Sequence, residues 1–149
     1  MIPLFLDFDG VLHPEHCRED MYFCRLPLLE GALERLPLLQ VVISSTWRVR
    51  GIDSLALRLP PTLRQRIHDL TPTFSELGDV PDQLYAYRRE AECTAWLRDH
   101  GLLSRPWLAL EDRAWLFRPF HKHVVLVDGE TGLKQVDIEE LVARYRRLV

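Results

Sequence analysis

The stretch Leu4-Phe5-Leu6-Asp7-Phe8-Asp9-Gly10-Val11-Leu12 constrains the fold more than any other part of the chain. It is an apolar run that ends in two carboxylates one residue apart, followed at once by glycine. Strands of a parallel sheet are buried on both faces and read as continuous apolar runs, so acids that close such a run belong at the sheet's rim. Rims at the carboxyl ends of strands are where open α/β sheets take their ligands. Gly10 permits a sharp turn and a close backbone approach to a ligand that a side chain would obstruct.

Further apolar runs end in the same way. Leu38 to Ile43 predicts a second buried strand, running into Ser44-Ser45-Thr46-Trp47-Arg48, and Trp107 to Leu110 predicts a third, running into Glu111 and Asp112. His123 to Val127 predicts a fourth, closed by Asp128 and Gly129, where Asp128 is expected to cap the turn. After a loop from His13 to Leu28, Leu29, Ala32, Leu33 and Leu36 repeat at helical spacing and predict a short amphipathic helix closed by Pro37. Strand, helix and strand in succession make a right-handed crossover and hence a parallel sheet. Between Gly51 and Gln83, Asp53 is expected to cap a helix over Ser54 to Leu59 and Thr62 another through Asp69, with a short edge strand near Leu70 to Phe74. Arg88 to His100 predicts a longer helix with Gly101 as its C′ residue. Asp137 is expected to cap a final helix whose apolar side carries Ile138, Leu141, Val142, Tyr145 and Leu148. The fold class expected is therefore α/β with a mostly parallel sheet, in one domain spanning 1–149.

Parallel strands bring their carboxyl ends to one edge, so Asp7 and Asp9, Ser44 to Thr46, and Glu111 and Asp112 are predicted to converge. Clustered carboxylates repel one another unless a cation lies between them. Hard oxygen ligands of this kind suit Mg²⁺, which takes one or two protein carboxylates, waters and a substrate phosphate.

Composition narrows the classes. At 149 residues and 47% apolar content the chain is long enough for one domain with a sizeable core, and a net charge of −3 gives no global basic footprint, so a nucleic-acid contact would need a local patch. Three cysteines without a CxxC pattern fit reduced thiols, and the N-terminal apolar run stops at Asp7, too short for a signal peptide or a membrane span. A cytoplasmic location is expected. His13, His16, Cys17 and Cys24 match no standard zinc spacing. Trp96, Trp107 and Trp115 are expected in the core, and Trp47 either there or beside the site.

The first stretch resembles the first motif of the haloacid dehalogenase (HAD) superfamily, an apolar run followed by DxDG[VT]L. Ser44 after Val41-Val42-Ile43 is similar to its second motif, and Arg89, or alternatively Arg88 or Arg48, would stand for the Lys or Arg of the third. Glu111-Asp112 resembles the acidic fourth motif. More narrowly, DFDGVLHP, SSTWR, the R-x-x-E of Arg89 and Glu92, the acidic pair and VDGETGL resemble the HAD domains related to the Swiss Army Knife RNA-repair group. The resemblance implies a HAD-like Rossmannoid three-layer sandwich and an Mg²⁺-dependent phosphohydrolase. Asp7 would be the nucleophile, forming an aspartyl-phosphate, and Asp9 the general acid and base. Ser44, the backbone N–H of Ser45 and Arg89 would bind the phosphoryl group. Asp112, with Glu111, would hold the metal beside the Asp7 carboxylate and the Asp9 carbonyl oxygen, the choice of main ligand between Glu111 and Asp112 staying open. The segments between motifs are too short for an inserted cap, so the site is expected to be open and suited to phosphorylated macromolecules such as nucleic-acid ends. Trp47, Arg48 and Arg50 are placed to stack on a base and contact phosphate. The alternatives are a catalytically weak phosphate-end-binding or regulatory module, and a small-molecule phosphomonoesterase.

Overall fold

Strand β1 (Ile2–Leu6) is the middle of a five-stranded sheet in the computed structural model, which describes the backbone of residues 1–149 and every side chain except those of Arg50 and Ile52. On one side β1 pairs with β2 (Leu39–Ile43), which pairs with the edge strand β3 (Ile67–Leu70). On the other it pairs with β4 (Leu108–Glu111), which pairs with β5 (Val124–Leu126). All four pairings are parallel and the strand order is β3-β2-β1-β4-β5. The order reverses direction between β1 and β4, which makes their carboxyl ends the topological switch point of the sheet.

Alternation along the strands divides the core into two layers. Leu4, Leu6, Val41, Ile43, Leu108 and Leu110 face α1 (Leu26–Arg35) and α5 (Gln135–Leu148), where Leu29, Leu33, Ile138 and Leu141 are buried. Phe5, Val42, Ala109 and Val124 face α4 (Arg88–Asp99), packing with Cys93, Trp96 and Leu97. Phe5 lies edge-on to both Trp96 and Trp107, at 5.7 and 5.6 Å. The result is a helix, sheet, helix sandwich of the Rossmannoid kind. Residues 7–38 hold only a 3₁₀ turn (Glu19–Met21) and α1, which leaves no room for a cap domain. Among the described residues, no helix is long and apolar enough to cross a membrane.

Several local expectations are corrected. Helix α1 begins at Leu26, inside the segment expected as loop, because Pro27 sits in its first turn, where the missing N–H costs nothing. The helix expected from Thr62 to Asp69 is only α3 (Pro61–Arg64), and the edge strand comes earlier than expected. Ile67 and Asp69 pair with Val41 and Val42, and Thr71 N–H still reaches Ile43 O at 3.0 Å before Pro72 removes the next donor. The preceding helix α2 (Ile52–Ala56) likewise starts earlier than expected. Asp137 is the third helical residue of α5, not its cap, and its carboxylate accepts the Lys134 N–H at 2.8 Å. Trp96 and Trp107 are core residues, whereas Trp115 is exposed. Gly101 takes φ +69 just beyond α4, as its C′ role requires, and all three cysteines are free.

Candidate active site

The register of the sheet brings the predicted residues together. Leu6 pairs with both Ile43 and Leu110, so the residues that follow on each strand, Asp7, Ser44 and Glu111, stand side by side. The join is tight: Ser44 N–H donates to Leu6 O at 2.9 Å and Asp7 N–H to Leu110 O at 3.3 Å. Asp7, Glu111 and Asp112 each offer a carboxylate oxygen within 4.8 Å of the others. Among the described residues this is the only cluster of three or more such side chains close enough to share a metal ion.

The third acid is held by two glycines. Gly10, at φ +80, turns the chain away after β1, and a Cβ there would run into Asp112 Oδ2. A Cβ on Gly129 would come within 2.6 Å of the same oxygen. Asp112 is thus wedged between the turn after β1 and the turn after β5, where Asp128 Oδ1 accepts the Glu130 N–H at 3.0 Å and caps the loop.

The electrostatics of the cluster call for a cation. Burial raises the Asp7 carboxyl to about 6, against the pull of Glu111 and Arg89, and burial followed by the Asp7 charge raises Glu111 well above the carboxylate range. Burial and mutual repulsion thus both oppose charge on these two acids, a penalty that a cation between them would relieve. Glu111 Oε2, Asp112 Oδ1 and Arg89 Nε are buried without a hydrogen-bond partner. An unpartnered buried oxygen such as Asp112 Oδ1 carries a desolvation cost of about 1–3 kcal/mol until a ligand meets it. Asp112 Oδ1 has no partner and Glu111 Oε2 faces the Arg89 guanidinium at 3.5 Å; hard oxygens of these two acids beside Asp7 fit Mg²⁺.

Of the three arginines considered for the third motif, Arg89 is the one at the site. It is buried, its Nε lies 3.5 Å from Glu111 Oε2, and its Nη1 bonds Glu92 Oε1 at 2.9 Å. Arg88 is exposed and lies over the Phe74 ring at 5.3 Å. Arg48 is buried and spent inside the protein: it donates to the carbonyls of Ser44 (2.9 Å), Ser45 (2.6 Å), Thr71 (3.1 Å) and Pro72 (3.2 Å) and pairs with Glu92 Oε2 at 2.7 Å. It braces the loop after β2 from within and is not free to meet an incoming phosphate, which corrects the expectation from sequence. The Arg50 side chain lies outside the described residues. Ser44 and Ser45 are both buried, and Ser45 Oγ accepts the Trp47 N–H at 3.2 Å.

Asp9 stands apart from the acidic cluster. Its Oδ1 meets His13 Nε2 at 2.7 Å and its Oδ2 accepts the Trp47 indole N–H at 3.1 Å. The His13 hydrogen bond, above all, holds the Asp9 carboxyl below its ordinary value. Trp47 packs edge-to-face on Phe8 and Phe23, with the Arg58 guanidinium 4.3 Å from its ring centre, so its face is not free to stack on a base. Sequence reasoning missed three contributors: His13, Glu92 as the link between Arg48 and Arg89, and Gly129. His13 carried one signal, its place four residues after Asp9 and just beyond the apolar run.

A parallel α/β sandwich with paired acids at its switch point, a serine loop on one neighbouring strand and an acidic pair on the other, is the architecture of the HAD superfamily. The family model described as the HAD domain in Swiss Army Knife RNA repair proteins matches residues 3–138, and the chain belongs to that family. The membership carries phosphoesterase-like chemistry of the HAD superfamily. Neither the curated proteins nor the solved structures contain a match to the chain.

Proposed function

We propose that the chain is an Mg²⁺-dependent phosphomonoesterase that works through an aspartyl-phosphate and acts on phosphorylated nucleic-acid ends. The observation that carries this reading is the convergence of Asp7, Glu111 and Asp112, with buried atoms lacking partners, at the switch point beside Arg89. In the first half-reaction Asp7 Oδ bonds to phosphorus, and the bond from phosphorus to the leaving oxygen breaks with its electron pair on oxygen. That oxygen takes the proton of the Asp9 carboxyl, which reacts from the protonated minority of a group that His13 holds below its ordinary value. In the second, the Asp9 carboxylate takes a proton from water, the water oxygen attacks phosphorus, and Asp7 is released. Ser44, the Ser45 N–H and Arg89 bind and neutralise the phosphoryl oxygens. Asp7, Asp112, Glu111 and the Asp9 carbonyl oxygen would hold Mg²⁺, which supplies charge neutralisation between the acids and the phosphate.

The substrate class rests on two supports. The segment 7–38 carries no cap, so the rim admits a phosphate that ends a long polymer, and the family is described as a domain of RNA repair proteins. The test is phosphate release from 3′- and 5′-phosphorylated oligoribonucleotides against nucleotides and sugar phosphates, with Mg²⁺ and after its removal by a chelator. We expect release from an oligonucleotide end that needs Mg²⁺ and exceeds release from the small esters. A clear preference for small esters would overturn the substrate class, and Mg²⁺-independent release the metal role.

A further inference from the structure

Asp9 must present one face of its carboxylate to the leaving oxygen, and the structure shows how it is aimed. Its side chain keeps 38% of its surface exposed, whereas His13 has none, so His13 touches Asp9 and not the substrate. The chain folds back to make this contact: Val11 and Leu12 N–H both bond Phe8 O, at 3.0 and 2.9 Å, and Gly10 N–H bonds His13 O at 2.9 Å. The far nitrogen of His13 is also fixed. His13 Nδ1 accepts the Phe23 N–H at 3.2 Å, which places the ring proton on Nε2, facing Asp9. Phe23 makes that bond from φ +63, a region that bulky residues rarely occupy. Tyr22 stacks on the imidazole at 4.7 Å, and Trp47 holds the second Asp9 oxygen from the loop that carries Ser45.

Resting on the reading above, we propose that His13 and Trp47 are positioning residues for the leaving-group proton transfer. One donor on each oxygen fixes the plane of the Asp9 carboxylate, and the open side is left for the ester oxygen. The indole ties that plane to the loop that binds the phosphoryl group, so acid and phosphate site share one frame. Both residues act through the Asp9 carboxyl, and neither is needed to bind the phosphate.

This predicts a defect that depends on the leaving group. An ester with an acidic leaving group departs without help, while an alkyl ester needs its oxygen protonated as the bond breaks. The experiment measures kcat/KM, which covers the steps through aspartyl-phosphate formation, for 4-nitrophenyl, phenyl and alkyl phosphates. The enzymes compared are wild type, His13→Phe, Trp47→Phe and His13→Gln. For His13→Phe and Trp47→Phe we expect a fall of roughly ten- to a hundredfold on the alkyl ester, against roughly threefold or less on 4-nitrophenyl phosphate. Inhibition by inorganic phosphate should stay at the wild-type level. His13→Gln, whose amide nitrogen donates where Nε2 does, should recover most of the loss. Equal losses on every leaving group, or none, would overturn the positioning role. A wild type that turns over no ester overturns the proposed function instead. Circular dichroism separates misfolded variants, and because Trp47→Phe keeps an aromatic ring in the packing, the test does not hang on His13 alone.

Discussion

Asp112 illustrates how a single residue depends on its neighbours having no side chain. Its carboxylate fills the space that a Cβ on Gly10 or Gly129 would need. Gly129→Ala should therefore push Asp112 off its position while leaving the fold in place, since Gly129 does not occupy the left-handed region. The expected outcome is a loss of activity of about tenfold or more with stability changed by about 1 kcal/mol or less, read by steady-state kinetics beside thermal melting. Gly10→Ala adds about 1–2 kcal/mol of strain, because the position holds φ +80. A Gly129→Ala variant of full activity would show that Asp112 is not needed where it sits. Asp7, Asp9 and Asp112 were legible in the sequence because carboxylates that close a buried apolar run are costly unless they meet a cation or a ligand. The need for Gly129 was not, because it arises from a contact between turns far apart in the chain.

The elements divide by the same logic. β1, β2 and β4 are buried on both faces, so their apolar runs announce them, and their alignment as parallel neighbours follows from the helices between them. β3 is four residues long at the edge, with His68 and Asp69 among them, and its pattern suited a helix until pairing with β2 decided the matter. The link between α4 and the loop after β2 was also hidden, since charged residues read as surface until their partners are known. Glu92 on α4 joins Arg48 and Arg89, and Arg48 holds four loop carbonyls. Arg48→Ala would leave Glu92 half-paired and those carbonyls open. Chemical denaturation should show a loss of about 2–4 kcal/mol, accompanied by weaker phosphate inhibition. A variant as stable as wild type would mean that water replaces the guanidinium without cost.

At the scale of the whole molecule, charge networks also lie outside the site. Away from the site, burial raises Glu90, but hydrogen bonds from His121 and Arg118 outweigh it and bring its carboxyl down to about 2. A carboxyl lowered in the folded state contributes stability above its unfolded value near 4.5 and loses it as pH falls toward 2. Between roughly pH 5 and 2 wild type should lose about 2–3 kcal/mol that Glu90→Gln does not lose. Denaturation midpoints across that range check it, and parallel curves for the two proteins would show that Glu90 carries no such stability. The site itself gathers its residues from three strands, and its proposed chemistry turns on Asp7 attacking phosphorus. The most direct measurement is mass spectrometry of the peptide containing Asp7 after acid quench during turnover with Mg²⁺. We predict one phosphoryl group on Asp7, released by hydroxylamine and absent from Asp7→Asn, which should turn over no substrate. An unmodified peptide, together with undiminished turnover by Asp7→Asn, would contradict it.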